Sequence, residues 1–143
     1  MLSRLGRLAE ADGAMATALY LDLDPATGAL QLASAGHPPP LCVKDGRARF
    51  VDVSPALSPP LGLAVQSRPQ LGLTLPAGST LVLYTDGLVE RTRNIDRGMS
   101  ELAAAAARLS GATPAELCDR LLAQLAPAAR YRDDVAVLAL RRR

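Results

Sequence analysis

At 143 residues, 49% hydrophobic and 21% charged, the chain has the size and makeup of one globular domain, far from the polar signature of disorder. A formal net charge of +2 is too small to indicate nucleic acid as a partner, and no apolar run approaches the ~18 residues that a membrane span needs. The amphipathic start Met-Leu-Ser-Arg-Leu-Gly-Arg has no secretory apolar core, so the chain reads as cytoplasmic.

Residues 2–11 place Leu2, Leu5 and Leu8 three apart with charged residues between, which is helical spacing. From Met15 the period changes to two. Met15, Thr17, Leu19, Leu21 and Leu23 share one face of a strand, and Asp24-Pro25-Ala26-Thr27-Gly28 is a strong turn. A second strand through Leu30 and Leu32 completes a hairpin. Ala35-Gly36-His37-Pro38-Pro39-Pro40 interrupts the sheet, because Pro donates no ladder hydrogen bond.

Leu41-Cys42-Val43 resumes the sheet, Lys44-Asp45-Gly46-Arg47 turns tightly, and Ala48 to Val53 pairs back. Residues 54–62 read as a Pro- and Ser-rich loop ending at Leu61-Gly62. A strand pair flanks Pro76-Ala77-Gly78. Its second member, Ser79 to Thr85, is nearly continuous in apolar residues and so predicts a central, buried strand. Met99 to Leu109 is an Ala-rich helix. Thr113-Pro114-Ala115-Glu116 is a capping box with Pro at the first helical position, opening a helix that ends near Pro127. Asp134 to Leu140 alternates toward a final strand. Hairpins followed by two helices and a returning strand describe an α+β layered domain spanning 1–143.

The two cysteines, Cys42 and Cys118, lack the spacing of a zinc or redox motif and read as buried, reduced thiols. Lys44 is the only lysine. The run Arg141-Arg142-Arg143 reads as a solvated tail.

Chemistry concentrates at two strand ends. Thr85-Asp86-Gly87 sends an apolar strand into a carboxylate, where a hard cation can reach it. The competing reading is that Asp86 caps a helix beginning near Leu88. Asp133-Asp134 adjoins the final strand, and neighbouring carboxylates there are costly unless a cation or solvent relieves them. An exposed turn is the alternative. His37, the only histidine, has no nucleophile motif to serve and stands beside a Pro-rich turn, which favours a structural role.

The motif order resembles the SpoIIE-type phosphatases of the metal-dependent PPM, or phosphatase 2C-like, superfamily. The run Ala16-Thr17-Ala18-Leu19-Tyr20, the turn Asp24 to Gly28, Ala35 to Pro40, Pro60-Leu61-Gly62, Leu83 to Glu90 and Asp133-Asp134-Val135 carry the resemblance. It implies a β-sandwich of two antiparallel sheets flanked by helices, with the chain covering the C-terminal two-thirds of such a domain. It implies two Mg²⁺ or Mn²⁺ ions and hydrolysis of phosphoserine or phosphothreonine. Asp86 and Asp133 would be metal ligands with Asp134 in support, and Gly87 and His37 would lie near the cleft. The implied substrates are phosphoproteins of the STAS-fold, anti-sigma-factor antagonist type.

The family's early Gly-Asp motif, whose Asp bridges both metals, has no counterpart, since none of the eleven glycines precedes Asp. Metal binding and turnover by the chain alone are therefore expected to be weak or absent. A non-catalytic interaction module is the alternative. Apolar residues Leu19, Leu21, Leu30 and Leu32 are expected to be exposed and to promote a homodimer.

Overall fold

Two tight turns, Asp24–Gly28 and Asp45–Gly46, each fold an alternating sequence back on itself and seed the two sheets. The computed structural model describes residues 1–90, 94–126 and 134–143. The chain forms two compact units, residues 1–37 with 52–76, and residues 38–51 with 77–143. The fold is α+β, with two largely antiparallel sheets and, among the described residues, three α-helices.

In the first unit, β1 (Ala18–Leu23) pairs antiparallel with β2 (Ala29–Ala35), from Ala18 opposite Ala35 to Leu23 opposite Leu30. The turn between them is tied by its own acid. Asp24 accepts from the Ala26 N–H at 2.9 Å and the Thr27 hydroxyl at 2.6 Å, and Gly28 adopts φ +77. Two short strands share the other edge of β2. These are β5 (Leu57–Ser58), parallel to it, and β6 (Leu71–Thr74), antiparallel.

Alternation on β2 buries Leu30, Leu32 and Ser34 on one face and Ala33 and Ala35 on the other. Leu30 and Leu32 are only 2% and 0% exposed and Leu19 and Leu21 are half-buried, which overturns the expectation that these leucines form an exposed apolar face. The small Ala33 and Ala35 receive helix α1 (Leu2–Ala11) in a cluster with Leu2 and Leu61. The helix buries Leu2 and Gly6 and leaves Leu5 and Leu8 exposed, so its Leu stripe is not its contact face. Gly6 faces Arg68, whose Nη2 would stand 3.1 Å from an added Cβ. The Arg68 guanidinium in turn holds the Ser58 hydroxyl and the carbonyls of Pro59 and Pro60.

The strand expected from Met15 begins at Ala18, because Ala16 instead bridges Leu61. At that crossing a Cβ on Gly62 (φ +91) would meet the Ala14 carbonyl oxygen at 1.9 Å, so no larger residue fits.

The second unit is built on β7 (Thr80–Tyr84), central in the order β4-β3-β7-β8 as its continuous apolar sequence predicts. Strands β3 (Leu41–Lys44) and β4 (Arg47–Phe50) form the hairpin, with Asp45 and Gly46 both at positive φ, and β8 (Val137–Arg141) closes the far edge. The residues flanking Pro76–Gly78 do not pair with each other. Strand β6 pairs with β2 and β7 with β3, so that turn is a crossing between sheets and not a hairpin.

Helix α2 (Ile95–Arg108) starts earlier than its Ala-rich core, because the Asn94 side chain caps it by accepting from the Arg97 N–H at 2.9 Å. Helix α3 (Pro114–Leu125) carries the expected capping box, both halves formed between Thr113 and Glu116. Leu102, Ala105, Ala106 and Leu109, then Leu117, Leu121 and Leu125, make the two helical stripes that cover Leu41, Val43, Val82 and Tyr84.

Cys42 and Cys118 are free thiols and half-buried, not fully enclosed. The basic run at residues 141–143 is not a free tail. Arg141 belongs to β8, and its guanidinium reaches the Thr80 hydroxyl (2.8 Å) and the carbonyls of Ser110 (3.2 Å) and Ala112 (2.6 Å). Those carbonyls lie in the connection between α2 and α3. One side chain thus fastens the last strand to the helical layer.

Replacing Arg141 with Ala is expected to lower unfolding stability by about 1.5–3 kcal/mol, the usual worth of hydrogen bonds from a charged group. Arg143→Ala, at an exposed position, is expected to change it by less than about 0.5 kcal/mol. Urea denaturation of both variants provides the comparison, and equal midpoints would remove the fastening role.

Candidate metal centre

The β7 ladder ends at Tyr84, and the next three residues determine what the sheet presents. Thr85 keeps an extended backbone, and its N–H donates to the Ala136 carbonyl at 3.1 Å. Its side chain then continues the pairing where the regular ladder stops. The Thr85 hydroxyl donates to the Asp134 carbonyl at 3.0 Å and accepts from the Ala136 N–H at 2.9 Å. These three bonds hold the segment from Asp134 to Ala136 beside Thr85, one residue from Asp86.

Asp86 opens a single 3-10 turn, Asp86–Leu88, closed by the Leu88 N–H to Thr85 and the Val89 N–H to Asp86. One carboxylate oxygen accepts from the Gly87 N–H at 2.9 Å. Leu88 and Val89 are buried and anchor the turn from below. Gly98 of α2 lies directly on Val89, since a Cβ there would fall 1.9 Å from the Val89 carbonyl oxygen. Asp86 is thereby held half-exposed at the sheet end. Among the described residues no α-helix begins near Leu88 for Asp86 to cap: the short 3-10 turn starts at Asp86 itself, its N-cap is Thr85, and no side chain caps it.

Asp134 is exposed and precedes β8 by three residues. Asp133, the other expected ligand, lies outside the described residues. Among the described residues no group of three or more His, Cys, Asp or Glu converges as a metal cage.

His37 belongs to the first unit and Asp86 and Gly87 to the second. Its turn is tightly built: its carbonyl accepts from the Ser34 hydroxyl at 3.2 Å, and the Gly36 N–H donates to Ser58 at 2.9 Å. Gly36 itself has φ +68, and Pro60 Cγ would lie 2.7 Å from an added Cβ. Thr85 went unnoticed as a functional position in the sequence. The available signal was a hydroxyl at the last extended residue before the acid.

Tyr84, also at this strand end, is buried, its hydroxyl has no hydrogen-bond partner among the described residues, and burial pushes the phenol's pKa well up. It stays protonated across the physiological range.

Comparison with known proteins gives a coherent picture. The family model for stage II sporulation protein E (SpoIIE) matches residues 1–143. The structure of the RsbU and RsbW domains of Rv1364c from Mycobacterium tuberculosis is 35% identical with a TM-score of 0.87, covering 99% of this chain and 41% of that one. The phosphatase domain of the cell fate determinant SpoIIE from Bacillus subtilis is 16% identical with a TM-score of 0.72, covering 98% of this chain and 63% of that one. The SiaA-PP2C domain of Pseudomonas aeruginosa has 17% identity and the same TM-score, 0.72, over 98% of this chain and 67% of that one. The chain thus spans less than two-thirds of the length of the first two.

Thr85→Val keeps the side-chain shape but removes both side-chain hydrogen bonds, while Thr85→Ser keeps the hydroxyl. Hydrogen exchange at the Ala136 amide is expected to quicken about tenfold in the first variant and little in the second, as loss of roughly 1–1.5 kcal/mol of local protection implies. Equal exchange in the two variants would remove the hydroxyl from the account.

Proposed function

The chain belongs to the SpoIIE family of PP2C-like serine/threonine phosphatases, and on that premise we propose that it is part of a metal-dependent phosphoprotein phosphatase acting in bacterial signalling. The observation that supports this reading is the Thr85 clasp, whose hydroxyl holds the Asp134 carbonyl and the Ala136 amide beside the residue that precedes Asp86. Asp86, with Asp133 and Asp134, would furnish part of the ligand set. Mg²⁺ or Mn²⁺ bound there would lower the pKa of water and neutralise charge on phosphoryl oxygens. The protein's own contribution would be positional: the clasp at Thr85 and the buried Leu88 and Val89 hold the backbone on either side of Asp86.

The proposed substrates are phosphorylated STAS-fold, anti-sigma-factor antagonist proteins, and the proposed location is the cytoplasm. No helix among the described residues is long and apolar enough to cross a membrane. The absence of a Gly-Asp pair from the sequence favours a second reading, a non-catalytic module that binds its partner without turnover.

Hydrolysis of p-nitrophenyl phosphate with Mn²⁺, alongside Mn²⁺ binding followed by water-proton relaxation, separates the two readings. The isolated chain is expected to turn over very slowly and to bind Mn²⁺ weakly, with Asp86→Asn reducing both. Binding and residual turnover unchanged by Asp86→Asn would exclude Asp86 as a ligand. Robust turnover abolished by Asp86→Asn would mean that the chain completes its cage elsewhere, with Asp96 and Glu90 first to be tested.

We also infer that the chain self-associates, most simply as a symmetric dimer. Support comes from the edge strand β8, where Leu138 and Leu140 are 55% and 41% exposed. Light scattering over a dilution series should show mass falling toward the monomer on dilution, and Leu138→Lys should shift that transition to higher concentration. A monomer at high micromolar concentration would end the idea.

A further inference from the structure

The β3–β4 hairpin has two unlike faces. Leu41, Val43, Ala48 and Phe50 face the core, while Cys42 and Lys44, with their cross-strand partners Arg49 and Arg47, occupy the opposite face. Cys42, Lys44, Arg47 and Arg49, with Asp45 of the turn, line a shallow groove of ≈ 480 Å³. Three of those five residues are cationic, in a chain whose whole net charge is +2.

The placement of these charges is unfavourable for the hairpin itself. Lys44 stands directly opposite Arg47, and like charges directly opposite destabilise a ladder. No side-chain ion pair or hydrogen bond of Lys44, Arg47 or Arg49 occurs among the described residues. An anion lying in the groove would relieve the opposition.

Protection of the exposed edge against aggregation is the usual role of charge on an outer strand. It would account for Arg47 and Arg49 on β4. It does not account for Lys44, or for the groove over Cys42, because both lie on β3, one strand inward.

We propose that this groove is a docking site for an extended acidic peptide segment of a partner protein. Arg47 and Arg49 are two residues apart on one strand, about 7 Å, which is also the spacing of same-side residues on an extended peptide. Carboxylates at alternate positions of such a segment would meet Arg49 at one step and the Lys44–Arg47 pair at the next. Cys42 contributes a small apolar floor between them. The register places the groove toward the Thr80 end of β7, whereas Asp86 follows its other end. The inference therefore does not depend on the phosphatase reading.

Cys42 makes the site testable, since its alkylation reports occupancy. Cys118 serves as the internal control, because it lies outside the groove and burial pushes its thiol pKa up. The probe is a fluorescein-labelled peptide of alternating Glu and Ala, followed by anisotropy and by Cys42 alkylation rate.

The peptide is expected to bind, to slow Cys42 alkylation several-fold, and to lose at least about tenfold in affinity from low to high salt, as screened surface charges do. K44Q/R47Q/R49Q should abolish binding while leaving thermal stability equal or higher. Equal protection by inorganic phosphate would overturn the peptide assignment in favour of a simple anion site. Binding unchanged in the triple variant would overturn the site. A triple variant that mainly forms larger particles in light scattering, with no peptide bound by the parent chain, would assign the charges to edge protection instead.

Discussion

The pairing of β7 with β8 brings the segment that carries Asp134 beside Thr85, the residue before Asp86. Backbone bonds carry that pairing from Thr80 opposite Arg141 to Tyr84 opposite Val137. Beyond Tyr84 the hydroxyl of Thr85 takes over, acting as donor and acceptor at once. A hydroxyl can do both and an apolar β-branched residue can do neither. Asp86 follows directly on this arrangement, and among the described residues its side chain accepts from the adjacent Gly87 amide.

Close approach through missing side chains is the second organising device. Gly62 lies on the Ala14 carbonyl in the first unit and Gly98 on the Val89 carbonyl in the second. Gly6 lies on the Arg68 guanidinium, and Arg68 in turn gathers three oxygens of the 58–60 segment. At Gly62 and Gly98 backbone lies against backbone, so an added methyl there displaces a chain segment, whereas at Gly6 it meets the Arg68 side chain.

Strand periodicity, turns and caps were legible because each is written locally. Gly28, the Asp45-Gly46 pair and the Thr113–Glu116 box each decide their own geometry within a few residues. The partners of strands were less legible. Nothing in Leu71–Thr74 and Thr80–Tyr84 distinguishes a hairpin from a crossing between sheets, because that choice depends on β2 and β3, far away in sequence. The burial of Leu30 and Leu32 was misjudged for the same reason. The carboxylates at Asp86 and Asp134 could be named from the motifs, but the residue that holds their backbones together could not. Its partners are 49 and 51 positions away. Arg141 was misread because a run of three arginines looks solvated until one guanidinium finds carbonyls to hold.

The sequence separation of β7 from β8 bears on how the protein is made. Strand β7 leaves the ribosome long before β8 does, with both helices synthesised between them. During that interval one edge of an apolar strand lacks its partner, while β3 is already available on the other side. Helices α2 and α3 depend on local contacts and caps, so they can cover the β7 face first, and β8 then closes a non-local pairing, the slow kind of contact. The side-chain bonds of Thr85 and Arg141 form only at that closing step. The nascent chain is therefore exposed to wrong strand pairing until β8 arrives.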